Sequence, residues 1–156
     1  MNYWLLKSEP SHFSIDDLAA APNRTTAWDG VRNFQARNFI RDGMKKGDLA
    51  FFYHSSCAEP GIVGIVEITR EAYPDATAFD EKNKHFDPKS KAEDPRWFVV
   101  DAKLKRRLQQ PITLAKLKKY AGDSLSGLQL LKRGNRLSVM PITKQEWQLV
   151  IELEEK

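Results

Sequence analysis

The stretch Gly61-Ile-Val-Gly-Ile-Val-Glu-Ile-Thr69 indicates a β-strand that is buried inside a sheet. Five of its nine residues are branched aliphatics, namely Ile62, Val63, Ile65, Val66 and Ile68. Because successive residues of a strand point to opposite faces, these side chains supply apolar groups to both faces. We therefore expect this strand to be covered on both sides and to lie at the centre of the fold.

Four further segments predict strands around this one. Leu49–Tyr53 opens after a turn at Gly47-Asp48 and is mostly apolar. Trp97–Leu108 begins apolar and then alternates apolar with polar residues, which is typical of a half-buried strand. Tyr3–Lys7 and Arg136–Ile142 are predicted to be the first and the last strand.

Helices are predicted between the strands and at the end of the chain. Ser14 to Asp17 forms a capping box that opens a short helix before Pro22. Thr143 to Glu146 forms a second capping box, and Trp147 lies on the apolar face of the helix that follows, so we expect this indole in the core. The other predicted helices are Asn33–Met44, Thr113–Tyr120 and Leu125–Leu131.

The length and composition predict one domain over residues 1–156. At 41% hydrophobic and 29% charged residues, the chain has the balance of a globular protein. Strands with scattered helices predict a mixed α+β fold, in which a small sheet of about five or six strands curls into a barrel flanked by short helices. Between the strands, Tyr73–Pro95 is polar and holds three prolines, so we expect a long surface loop, and loops of this length are often functional.

Several function classes are disfavoured. Cys57 is the only cysteine, so an internal disulfide and a multi-cysteine zinc site are both excluded. His12, His54 and His85 are far apart in sequence and show no metal-ligand spacing, so we expect no metal and no cofactor. The common hydrolase, metalloprotease and nucleotide-binding motifs are absent from the sequence.

The expected location is the cytoplasm, or the nucleus if the source is a eukaryote. The apolar N-terminal segment has no basic start and meets Lys7 and Glu9 too soon for a signal peptide. No segment approaches the roughly 20 apolar residues of a membrane span, so we expect no membrane partner.

The positive charge is concentrated in the last third of the chain. The net charge is +4, but residues 102–156 alone carry twelve basic and five acidic side chains. Between Ala102 and Tyr120 there are seven basic residues and no acidic ones. Such a cluster can attract a polyanion, although a solvated strand face followed by a solvated helix face would show the same pattern.

Five clusters of polar and aromatic residues lie at predicted strand ends and helix starts. They are Lys7-Ser-Glu-Pro10, Trp28-Asp-Gly-Val-Arg-Asn33, Tyr53-His-Ser55, Pro95-Arg-Trp97 and Gly134-Asn-Arg-Leu-Ser138. An indole such as Trp28 or Trp97 offers a flat face on which a base can stack, and nearby backbone and polar groups can read the edge of that base. The clusters therefore favour a pocket for a planar heterocycle, but Asn33 could equally be only an N-cap and His54 only an interior side chain.

The same clusters make the chain resemble the EVE domain family, a branch of the PUA-like superfamily. The matching pieces keep the family's order and span nearly the whole chain. They are Tyr3 to Pro10, Trp28 to Asn33 with Gln35 to Asn38, Gly47-Asp48 with Phe52 to Ser55, Gly61 to Gly64, Asp87 to Ser90, Pro95 to Trp97 and Arg136 to Val139. The first two, KSEP and WDGVRN, are highly specific.

The resemblance implies a small PUA-like mixed β-barrel and a non-catalytic reader of a modified base, either a modified cytosine in DNA or a modified base in RNA or tRNA. The protein would act as a monomer with nucleic acid as its partner, and Trp28 would stack on the base. The expected base pocket is Lys7, Ser8, Glu9, Trp28, Gly30, Val31, Asn33, Tyr53, His54, Ser55, Trp97 and Ser138. The expected phosphate contacts are Arg32, Lys103, Lys105, Arg106, Arg107 and Arg136.

Two other functions stay open at this point. The related ASCH domains include amidohydrolases acting on modified nucleosides, and in such an enzyme Lys7 and Glu9 would supply a base and a proton shuttle. An adaptor would instead use its basic face to bind protein. Turnover of a modified nucleoside would favour the enzyme, whereas binding to protein but to no base would favour the adaptor.

Overall fold

Six strands form one mixed sheet in the computed structural model, which describes residues 1–154. The strands are β1 (Tyr3–Ser8), β2 (Thr25–Ala27), β3 (Leu49–His54), β4 (Gly61–Pro74), β5 (Phe98–Thr113) and β6 (Val139–Ile142). Their order across the sheet is β2-β5-β4-β3-β1-β6. The neighbours β1 and β3 are parallel, and every other neighbouring pair is antiparallel.

All five predicted strands are confirmed, with changed bounds. The central strand β4 continues to Pro74, five residues beyond the predicted end, and β5 continues to Thr113. The sixth strand, β2, was not predicted, since its three residues Thr25-Thr26-Ala27 are too few to show a hydrophobic period.

Four short α-helices surround the sheet. They are α1 (Ile15–Ala20), α2 (Phe34–Asn38), α3 (Leu114–Lys118) and α4 (Lys144–Leu153). Both predicted capping boxes are present, at Ser14 before α1 and at Thr143 before α4.

Two helix predictions need correction. The segment Asn33–Met44 is not one regular helix, because α2 passes into a π-helical turn over Phe39–Gly43. Within Leu125–Leu131 only a 3-10 turn at Gln129–Leu131 forms, and Gly127 in the middle of the segment has a low helix propensity. In the predicted long loop, residues 75–95 hold a single 3-10 turn, Ala76–Phe79.

The sheet is curled. The pairing of β4 with β5 shifts register at four places, and such irregularities bend strands. One cavity is lined both by Thr26 and Ala27 of the edge strand β2 and by Ser138, which directly precedes the opposite edge strand β6. Since the two edges of the sheet border the same cavity, the sheet curves back towards itself as a small barrel does.

Neighbouring residues of β3 pack on opposite faces of this sheet. Phe51 is fully buried and stacks on Trp147 of α4, with ring centroids 3.9 Å apart and planes at 15°. Phe52 is also fully buried and meets Trp28 edge to face at 5.4 Å. The prediction that Trp147 belongs to the core is confirmed, since only 7% of it is exposed.

A buried carboxylate fixes the start of the chain to the turn before β3. Asp48 is 3% exposed, and its side chain accepts hydrogen bonds of 3.0 Å from the indole N–H of Trp4 and from the backbone N–H groups of Asn2 and Lys45. This interaction holds β1 beside β3 at the end of the sheet where both strands begin. Among residues 1–154, no helix is both long and apolar enough to cross a membrane.

We expect Asp48→Ala to lower the free energy of unfolding by on the order of 3 kcal/mol, because the buried Trp4 indole and two partly buried backbone N–H groups would lose their charged acceptor. Urea denaturation followed by tryptophan fluorescence measures the change. Asp42→Ala is the control, since that carboxylate is on the surface, and it should change stability by about 0.5 kcal/mol or less. Equal effects of the two substitutions would contradict the role given to Asp48.

Candidate functional site

A cavity of about 940 Å³ lies at the gap between the two edges of the sheet. This volume is within the range of about 300–1,000 Å³ that is usual for ligand sites. The cavity is lined by four segments and one single residue. They are Lys7–Glu9, His12–Phe13, Thr26–Val31, Lys82–His85 and Ser138.

Trp28 lines this cavity and also belongs to the hydrophobic core. Its backbone N–H donates to the carbonyl of Val100 at 2.8 Å, which extends the pairing of β2 with β5 by one residue. Trp28 is 7% exposed, its indole packs edge to face on Phe52, and the residue is also part of the cavity lining. Trp28 therefore contributes to the core as well as to the site.

Gly30 allows the chain to turn sharply beside His85. Its φ is +78°, a conformation that favours glycine, and its N–H donates to the Asp75 carboxylate at 2.9 Å. A Cβ at this position would lie 2.5 Å from the His85 ring. The close approach of the two residues brings the loop after β4 against the turn after β2.

Arg32 and Asp75 fasten the two segments together. The Arg32 guanidinium donates to Asp75 at 3.0 Å, to the Thr77 hydroxyl at 3.2 Å and to the carbonyl of His85 at 2.7 Å and 3.1 Å. A further bond of 3.0 Å goes to the carbonyl of Val31. Arg32, which the family resemblance predicts to contact phosphate, directs its donors to these groups of the protein.

Asp75 is charged despite its burial. Burial raises the pKa of a carboxyl, but the hydrogen bonds from Thr77, the Gly30 N–H and Arg32 outweigh it and lower the pKa of Asp75 below 3.8. The carboxylate is thus a stable acceptor at neutral pH, and the loop after β4 is held by a charged pair as well as by neutral bonds.

Partial burial changes the titration of three residues that line the cavity. Burial lowers the pKa of Lys7 below 10.5. Burial and the Asp75 carboxylate raise the pKa of Asp29 above 3.8, while burial and Arg32 lower the pKa of His85 below 6.5. The His85 imidazole is therefore mainly uncharged at neutral pH and can both donate and accept hydrogen bonds.

Seven of the twelve expected pocket residues line this cavity. They are Lys7, Ser8, Glu9, Trp28, Gly30, Val31 and Ser138. The residues come from three distant parts of the chain, which the sheet brings together because β1, β2 and β6 meet at the gap. The Glu9 carboxylate lies 3.1 Å from the ring of the exposed His12, and the Ser8 hydroxyl donates to the carbonyl of Phe13 at 2.6 Å.

The other five expected pocket residues lie outside the lining, and local packing explains why. Tyr53 is 2% exposed, and burial together with the Cys57 thiol raises its pKa to about 12. His54 accepts a hydrogen bond from the backbone N–H of Ile15 at 3.1 Å, and the N–H of Ser55 donates to the carbonyl of Ser8 at 3.0 Å.

Asn33 and Trp97 are also placed elsewhere. Asn33 is the N-cap of α2, where its side-chain oxygen accepts the N–H of Ala36 at 2.9 Å. Trp97 is 5% exposed, donates to Asp87 at 2.6 Å and stacks on Phe34 with centroids 4.7 Å apart. Its indole is thus part of the packing beneath α2.

The loop after β4 supplies lining residues that the motifs did not indicate. Lys82, Asn83, Lys84 and His85 border the cavity, and the Lys84 ammonium lies 3.1 Å from the His12 ring. The length and polarity of the loop were the only sequence signals of its role. Within residues 1–154, no group of three or more His, Cys, Asp or Glu side chains could hold a metal ion.

The basic residues of β5 are largely engaged with carboxylates. Lys105 pairs with Glu67 at 3.6 Å, Arg106 pairs with Glu154 at 2.9 Å, and Arg107 pairs with Asp16. Lys103 is half-buried on the same strand. Arg136 is exposed and lines a second groove beside the cavity.

A family model described as the EVE domain matches residues 2–153. The chain belongs to the EVE domain family. Thymocyte nuclear protein 1 from Homo sapiens is 48% identical over 170 residues, which cover 99% of this chain and 75% of that protein. The protein of the same name from Danio rerio is 49% identical over 166 residues, covering 97% and 71%.

Solved structures of this family have the same fold. A crystal structure of human THYN1 protein in complex with DNA containing 5-methylcytosine has a TM-score of 0.95 at 48% identity and covers 100% of this chain and 99% of that one. A crystal structure of a Pseudomonas putida protein has a TM-score of 0.92 at 46% identity, covering 97% and 99%. The α+β fold of the PUA-like type expected from the sequence is confirmed.

We expect Gly30→Ala to displace His85 and to destabilise the protein more than Gly134→Ala does. Both glycines have a positive φ, +78° and +77°, so both substitutions carry about 1–3 kcal/mol of backbone strain. Only at Gly30 does the new Cβ meet another residue, since nothing lies within 4 Å of a Cβ at Gly134. Urea denaturation gives the two stabilities, and the NMR signals of the His85 ring report its displacement. An equal loss of stability with unmoved signals would contradict the contact.

Proposed function

We propose that this protein binds DNA that carries a modified cytosine such as 5-methylcytosine and holds the modified base in the cavity described above. The observation that carries the proposal is the cavity itself, which has an indole at its floor and polar groups on several sides. The human relative was crystallised with DNA containing 5-methylcytosine. The fold that contains the cavity matches the fold of that structure with a TM-score of 0.95.

The chemistry of the lining suits a planar base. Trp28 lines the cavity, and a contact between a base and an aromatic ring contributes about 1–3 kcal/mol per base. Polar groups of Lys7, Ser138 and His85 are placed around it and can satisfy the donors and acceptors of a base edge.

The contacts of the polar side chains at the end of β1 favour binding over catalysis. Lys7 and Glu9, the residues that a hydrolase would use, both line the cavity. The Glu9 carboxylate, however, pairs with His12, and the Ser8 hydroxyl is engaged by the Phe13 carbonyl. Incubation with acylated cytidines tests the hydrolase alternative, and release of the acyl group would contradict the reader proposal.

We expect Trp28→Ala to remove the preference for modified over unmodified DNA and to lower affinity roughly ten- to hundred-fold, because the base would lose its aromatic contact. The indole is largely buried, so the substitution should also cost about 3–5 kcal/mol of stability. Binding is therefore measured by fluorescence anisotropy well below the melting temperature of the variant.

Trp147→Ala is the matched control for Trp28→Ala. Trp147 is equally large and, like Trp28, 7% exposed, but it packs on Phe51 at the opposite face of the sheet and lies outside the cavity lining. We expect a similar loss of stability with the preference for the modified base retained. Loss of that preference in both variants would show that the change follows from destabilisation and would refute the stacking role of Trp28.

We expect the double substitution Lys82→Ala, Lys84→Ala to weaken duplex binding and to flatten its salt dependence. Both lysines border the cavity and can neutralise phosphates beside the extruded base, each contact adding about 0.9 to the slope of log K against log salt. The slope should therefore fall by up to about 2, with base preference unchanged.

The control for the loop lysines is Lys89→Ala, Lys91→Ala, which removes the same charge from exposed positions of the same loop outside the cavity. This variant should keep the wild-type slope. If both double variants change the slope equally, only net charge matters and the loop lysines make no specific phosphate contact.

A further inference from the structure

A second groove of about 410 Å³ opens beside the cavity, between the start of α2 and the segment before β6. Three of the residues that line it are cations, namely Lys132, Arg133 and Arg136, and none is a carboxylate. The three are exposed, and within residues 1–154 none of them forms a salt bridge. The groove thus differs from β5, whose cations are largely neutralised by neighbouring carboxylates.

The groove also carries side-chain amides. Gln35, Gln129, Asn33 and Asn135 border it. The oxygens of Asn33 and Asn135 cap backbone N–H groups of the protein, at 2.9 Å and 3.1 Å. The cap at Asn33 uses the amide oxygen, so the NH₂ of this side chain takes no part in it. Cations combined with amide donors are the usual protein partners of phosphate and sugar oxygens.

The groove and the cavity share their walls. Leu137 lines the groove and the next residue, Ser138, lines the cavity. On the other side, Val31 lines the cavity and Asn33 lines the groove. Since consecutive Cα atoms are about 3.8 Å apart, a single thickness of chain separates the two depressions. The groove is therefore close enough to receive the chain that flanks a nucleotide held in the cavity.

We propose that this groove holds the sugar–phosphate backbone of the DNA that flanks the base in the cavity. The inference rests on the proposed function and adds a second site to it. The groove sets the register of the DNA through phosphates, while the cavity reads the base, which is the usual division between positioning and specifying contacts. The unneutralised charge favours a polyanion over a protein segment or a neutral ligand.

The test compares two triple variants that remove the same charge. The groove variant is Lys132→Ala, Arg133→Ala, Arg136→Ala. The control is Lys45→Ala, Lys46→Ala, Lys144→Ala. All three lysines are exposed; the first two come shortly before Leu49 in the chain, and the third comes shortly after Ile142. Leu49 and Ile142 pair with Tyr3 at the beginning of β1, whereas the cavity is at its end, so the control charges lie at the opposite end of the sheet.

Three ligands are titrated into each protein: a duplex with one central 5-methylcytosine, the same duplex with cytosine at that position, and the free nucleoside 5-methyl-2′-deoxycytidine. For the methylated duplex, we expect the groove variant to lose at least tenfold in affinity near 0.1 M salt and its salt slope to fall by about 2 to 3, as three lost phosphate contacts require. The control should stay within about twofold of the wild type. Affinity for the nucleoside should be the same in all three proteins.

Three outcomes would overturn the proposal. Equal losses in both triple variants would mean that only net charge acts, and an unchanged duplex affinity of the groove variant would mean that DNA does not reach the groove. A parallel loss of nucleoside affinity would make the groove part of the base site. A wild-type protein that binds the duplex without preferring the modified base contradicts the proposed function alone, since the duplex titrations still decide the groove.

Discussion

The buried carboxylate of Asp75 joins the two segments on which the cavity depends. It accepts from the Gly30 N–H, from Arg32 and from both the backbone and the hydroxyl of Thr77, at distances of 2.6 to 3.0 Å. Removing one member of such a buried network leaves the others unpaired at a cost of several kcal/mol. The loop after β4 has few apolar residues of its own, so its position beside Trp28 follows largely from this one set of polar contacts.

Aromatic packing on both faces of β3 makes the part of the sheet beneath that polar network rigid. Phe51 and Phe52 face opposite sides of β3, and each is covered by an indole, Trp147 on one side and Trp28 on the other. The residue at the floor of the cavity is therefore also a core residue. A site built this way is well defined in position because its central ring cannot move without opening the core.

Charge is distributed in three different ways around this scaffold. The cations of β5 are mostly paired with carboxylates from α1, β4 and the residue after α4, and exposed pairs of this kind contribute little to stability. The Arg32 guanidinium is paired with the buried Asp75 carboxylate. Lys82 and Lys84 border the cavity, with Lys84 also in contact with His12, and the cations before β6 border the groove. These positive charges can attract an anionic strand.

The sequence by itself determined the central strands, both capping boxes, the core position of Trp147 and membership of the family. These follow from periodicity and from short motifs, which are local properties of the chain. It also placed Lys7 to Glu9, Trp28 to Val31 and Ser138 at element ends that the structure gathers around one cavity.

Only the tertiary structure decided which polar clusters meet and which cations are neutralised. Arg32 and Asp75 are 43 residues apart, and Arg107 and Asp16 are 91 apart, so no local pattern links them. For the same reason Tyr53 and Trp97 could not be distinguished from Trp28 beforehand. All three are aromatic residues at strand ends, but only Trp28 lines the cavity, while Tyr53 and Trp97 are covered by the residues packed around them.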